Sequence, residues 1–135
     1  MTYKITQLPN EPIIIAKFTE PFDSTKDTTG VALVLADTLN KITGKLYYIA
    51  DLQDVQIQFS DLVIGLAEAY ANKASPYSNP RLTTFTVASD MLIEMGAKAA
   101  SEQQQYGNAD VKFYAKVDDA LAVIRGQMAD SSKSA

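Results

Sequence analysis

Between Asp51 and Leu62 the chain reads Asp51-Leu52-Gln53-Asp54-Val55-Gln56-Ile57-Gln58-Phe59-Ser60-Asp61-Leu62, and this stretch holds the side chains best placed to do chemistry. It joins the end of an apolar run to the start of a helical pattern. In open α/β sheets the functional atoms gather where strands end and helices begin. A phosphate on Ser60 would lie at the positive end of a helix dipole beside free N–H groups, a field that tolerates its charge. The same hydroxyl has an ordinary use as a helix N-cap, among the commonest roles of Ser. Asp51, Asp54 and Asp61 bring carboxylates to the same connection.

The chemistry open to these residues is narrowed by what the 135-residue chain lacks: it has no His and no Cys. That removes the Ser-His-Asp triad, the thiolate nucleophile, the imidazole proton shuttle and the usual nitrogen and sulfur zinc site. Carboxylate, Lys or Tyr chemistry remains, as do an oxygen-ligand Mg²⁺ or Ca²⁺ site and a role with no chemistry at all. Its glycines match neither the dinucleotide nor the Walker spacing, and no cofactor is expected. Formal net charge is −4, and the twelve Lys and Arg are scattered singly. Nucleic acid and anionic membranes, which need a concentrated positive footprint, are not expected partners. No run approaches the roughly 18 apolar residues of a membrane span, and the N-terminus shows no signal-peptide h-region. With no Cys to oxidise, a cytoplasmic location is the expectation.

The elements that must position these side chains follow from periodicity. Tyr3 to Leu8 alternates weakly, and Leu8-Pro9-Asn10-Glu11-Pro12 is turn chemistry, which predicts an antiparallel opening hairpin. Ile13 to Phe18 is apolar on both parities, the pattern of a central strand covered on both faces. Ser24-Thr25-Lys26-Asp27 resembles a capping box, followed by a helical stripe of Val31, Leu35, Leu39 and Ile42, with Gly44 as the stop. Leu46 to Ala50 predicts a buried strand ending at Asp51. Ser60 then caps a helix through Tyr70, broken by Ser75 to Pro80. Leu82 to Ala88 is strand-like, and Ser89-Asp90 caps a helix through Met91, Met95 and Lys98. Val111 to Ala115 forms a short strand, and Asp118 caps a last helix with Leu121 and Ile124 inward. The order β-β-α-β-α-β-α-β-α predicts one α/β domain over residues 1–129: a single mixed sheet of about five strands, the first antiparallel and the rest mainly parallel, with about four helices. Residues 130–135 read as a disordered polar tail.

The order of elements, with Asp51-Leu52-Gln53-Asp54-Val55 followed by Phe59-Ser60-Asp61-Leu62, resembles the STAS domain shared by sulfate transporters and anti-sigma-factor antagonists. In that family a D-L-S-x-V-like segment ends a strand, and a D-S-S-G-L-like segment opens the next helix with a Ser phosphorylated by a partner kinase. The resemblance puts Ser60 on that Ser and Leu62 on the Leu after it. Asp61 stands at the family's Gly, Phe59 at the preceding Ser and Gln53 at the Ser of D-L-S. The native charge of Asp61 opposes a neighbouring phosphate. The long helix from Val31 to Ile42 is more similar to the divergent, lipid-binding branch of the same fold.

Two other constellations compete. Asp51, Ser89 and Lys116 are residue types of a phospho-receiver, each expected after a strand. Receivers, however, need an acidic pair after the first parallel strand, where Lys17-Phe18-Thr19 stands and Glu20 and Asp23 are displaced. Tyr47, Tyr48, Phe85 and Phe113 suggest either a cavity for an apolar ligand or ordinary core packing. The resemblance favours a non-enzymatic regulatory or protein-interaction module that works through Ser60, Asp61, Asp51, Asp54 and Leu62 and binds a protein partner. The alternative is a carrier of a small apolar or lipid-like ligand.

Overall fold

The computed structural model describes residues 3–21, 23, 26–56, 76, 79–89 and 112–133. Strands β1 (Tyr3–Gln7), β2 (Ile13–Phe18), β3 (Leu46–Asp51), β4 (Leu82–Val87) and β5 (Lys112–Tyr114) form one five-stranded sheet in the order β1-β2-β3-β4-β5. β1 pairs antiparallel with β2, and every later pairing is parallel. Helix α1 (Lys26–Lys41) links β2 to β3, and α2 (Val117–Lys133) follows β5. The mixed sheet is the one expected. Two of the expected helices are α1 and α2; the other two, after Ser60 and after Ser89-Asp90, fall largely outside the described residues.

The hairpin closes where Pro9, Asn10 and Pro12 require it. Asn10 adopts a left-handed φ of 65°, which Asn tolerates better than most residues, and Leu8 N–H donates to the Ile13 carbonyl at 3.1 Å. Strand β2 lies between β1 and β3 and is apolar on both parities because both of its faces are covered. Ile14, Ala16 and Phe18 look toward α1, and Ile13 looks toward α2.

Period-2 alternation divides the core into two layers. On one face Val31, Leu35 and Leu39 of α1 pack on Ile14, Leu46 and Tyr48; on the other, Ala120 and Ile124 of α2 pack on Ile49, Phe85 and Val87. The α1 stripe is the predicted one, and the helix stops at Lys41, ahead of Gly44 at φ 86°. Gly30 inside α1 has a packing reason: a Cβ built there would overlap the Tyr3 hydroxyl, and Tyr3 in turn lies 6.1 Å from the Phe18 ring.

Three boundaries differ from expectation. The cap of α1 is one residue earlier than the Ser24 box. Lys26 N–H donates to Asp23 Oδ1 at 2.8 Å, while Asp23 N–H donates to Asp27 Oδ2 at 3.0 Å. An Asp-to-Asp pair thus makes the reciprocal bonds, with Asp accepting as well as Ser would. Helix α2 begins at Val117, placing Asp118 and Asp119 in its first turn, where their charges meet the dipole, rather than at the cap. It also runs on to Lys133, so residues 130–133 are helical rather than tail; no Gly or Pro there stops the last turn.

Candidate functional site

All four parallel strands point their carboxyl ends to one edge of the sheet, at Phe18, Asp51, Val87 and Tyr114. The ladder continues a step beyond the strands. Leu52 N–H donates to the Val87 carbonyl at 2.7 Å and Ala88 N–H to that of Tyr114 at 2.9 Å. Asp51 closes β3 in register with Lys17 on one side and Val87 on the other. Its side chain is nearly covered, and Oδ1 accepts from both the backbone N–H and the side-chain amide of Gln53, each at 3.1 Å. This is an Asx-type bond that bends the chain sharply as it leaves the strand.

The bend continues as a turn with apolar feet and a polar tip. Leu52 and Val55 are both buried in the α1-side core, and Val55 N–H reaches back to the Leu52 carbonyl at 3.4 Å. Gln53 and Asp54 between them are exposed. Two long-range ties hold the tip: Lys17 Nζ lies 3.3 Å from Asp54 Oδ2, and Gln56 N–H donates to Glu20 Oε1 at 2.7 Å. The sequence alone marks Lys17 and Glu20 only as misfits to a receiver pattern. Their positioning role could have been sought in the one charged residue that interrupts the apolar run of β2.

Of the expected site residues, Asp51 and Asp54 therefore stand on this edge, one covered and one exposed. Ser60, Asp61 and Leu62 lie outside the described residues. Ser89 and Lys116 follow β4 and β5 onto the same edge, both exposed. The receiver residue types thus share an edge. Glu20 accepts the Gln56 N–H, Asp23 caps α1, and among the described residues no cluster of acids could hold a metal ion.

The four aromatic residues do not line one cavity. Tyr48 packs on the α1 face, whereas Tyr47 and Phe85 sit on the α2 face with ring centroids 6.5 Å apart, and Tyr114 adds a ring 5.8 Å from Phe85. Phe113, in register with Thr86, is not on the Phe85 side. Adjacent Tyr47 and Tyr48 must point to opposite faces of a strand, so the two layers share them out as core packing.

No protein-family model, curated protein or solved structure matches the chain. Among the described residues no helix is long and apolar enough to cross a membrane.

Proposed function

We propose that the chain is a STAS-like, non-enzymatic regulatory or protein-interaction module whose working surface is the carboxyl edge of the sheet at Asp51 to Val55, extended by the connection on which Ser60 falls in the sequence. The observation that carries this reading is the Leu52–Val55 turn: two buried apolar feet hold an exposed Gln53-Asp54 tip, which Lys17 steadies from the neighbouring strand. A tip fixed in advance loses little conformational entropy when a partner covers it, which is how a small surface gains affinity. Ser60, a few residues further along the same connection, is the proposed regulatory position. The split of the aromatic residues between two layers weighs against the lipid-carrier alternative.

The test is affinity capture from the native host with wild type, Ser60→Ala and Ser60→Asp, followed by titration of the captured protein against each. An altered affinity for Ser60→Asp, with unchanged circular dichroism and thermal midpoint, is the expected result. Equal affinity for all three variants would remove the regulatory role of Ser60.

A further inference from the structure

At the opposite edge, where the parallel strands begin, a cleft of about 960 Å³ opens between the β1–β2 turn, the C-terminal end of α1 and Met128 of α2. Nothing in the proposed function uses it. Its apolar lining comes from Leu8, Pro12, Ile42, Leu46, Tyr47 and Met128, and Lys41 and Lys45 also line it. A volume in this range suits a small molecule, and the lining is mixed, with Gln7, Asn10, Thr38 and Thr43 standing beside the apolar side chains.

The charges around the cleft favour one sign. Glu11, the acid in its lining, is engaged by a two-point bond: Arg125 Nε and Nη2 each lie 3.1 Å from a Glu11 oxygen. Two carbonyls just past the end of α1 are answered as well. Arg81 donates from Nη2 to the Ile42 carbonyl at 2.7 Å and from Nε to that of Gly44 at 2.8 Å. Lys41 is shared with Asp37 at 2.9 Å, and Lys45 makes no ion pair among the described residues. With Glu11 already held by Arg125, Lys45 presents a positive charge beside the apolar side chains of the cleft.

We infer that this amino-edge cleft binds a small amphipathic carboxylate, its chain against Leu8, Ile42 and Met128 and its head group toward Lys45. The inference is independent of the proposed function, since the two surfaces lie at opposite ends of the strands.

The experiment is a titration of the full chain with octanoate, followed by amide and methyl NMR, with octylamine as the matched cation. Octanoate should give saturable shifts at Leu8, Ile42, Leu46 and Met128, octylamine should bind more weakly, and Lys45→Gln should weaken octanoate about three- to fivefold, the scale of one exposed charge pair. Lys45→Glu, a surface change that leaves the core intact, should reverse the preference between the two probes. Shifts that do not saturate, that centre elsewhere, or that are equal for both probes would overturn the inference.

Discussion

The two edges of the sheet are built on different principles. The amino edge is closed by short connections and by arginines that reach across them: Arg81 ties the end of α1 to the start of β4, and Arg125 of α2 holds Glu11 in the β1–β2 turn. At the carboxyl edge an exposed turn stands on buried feet, steadied by Lys17–Asp54, a pair whose side chains are both more than half exposed. Contacts of the first kind should carry stability. Those of the second kind should set the shape of a surface at little energetic consequence. The split follows from parallel topology, which brings helix C-terminal carbonyls to one edge and helix N-termini to the other.

The most severe way to break the comparison is at the amino edge. Arg81→Ala strips two charge-assisted hydrogen bonds from the connection that follows α1, at Ile42 and Gly44, and should cost about 2 kcal/mol in chemical denaturation. Arg81→Lys should recover only part of this, because an ammonium lacks the planar fork that reaches both carbonyls. Next comes Asp23→Ala, which removes the cap of α1 at the other edge and should cost about 1 kcal/mol. A cost at Asp23 exceeding that at Arg81 would reverse the ranking of the edges.

Much of the frame behind these numbers was legible in the sequence. Ile13 to Phe18 declared a strand covered on both faces, Val31, Leu35 and Leu39 declared the buried stripe of α1, and Pro9 to Pro12 declared the turn. Each is a local pattern set by burial periodicity. Lys17–Asp54, Gln56–Glu20 and Arg81 on the end of α1 were not legible, because they join residues brought together only by sheet register. The cap of α1 was misplaced by one residue since Asp23 and Ser24 are both good acceptors and the sequence does not rank them. In the candidate site, Asp51 was legible as a strand end, but its bond to Gln53 and the buried feet of the turn needed the coordinates.

Smaller changes sharpen the contrast. Asp54→Asn should alter stability by no more than about 0.5 kcal/mol, since it loosens one exposed pair, while weakening the captured partner measurably. The Glu11–Arg125 pair is read through pH. The hydrogen bonds donated by Arg125 hold the Glu11 carboxyl below its ordinary value. A carboxyl depressed in the folded state contributes stability above its unfolded pKa, and that contribution is lost as pH falls through the folded value. The stability gap between wild type and Glu11→Gln should therefore be largest near neutrality, close as pH drops below the ordinary carboxylate range, and shrink with added salt.

The most direct measurement is a hydrogen-exchange footprint of the complex with the protein captured by the wild-type chain. Protection gathered on residues 51–62 and on the segment from Lys17 to Asp23, with the β1–β2 turn and the end of α1 unchanged, is the predicted result. Protection centred on the amino edge, or none at the carboxyl edge, would contradict the account.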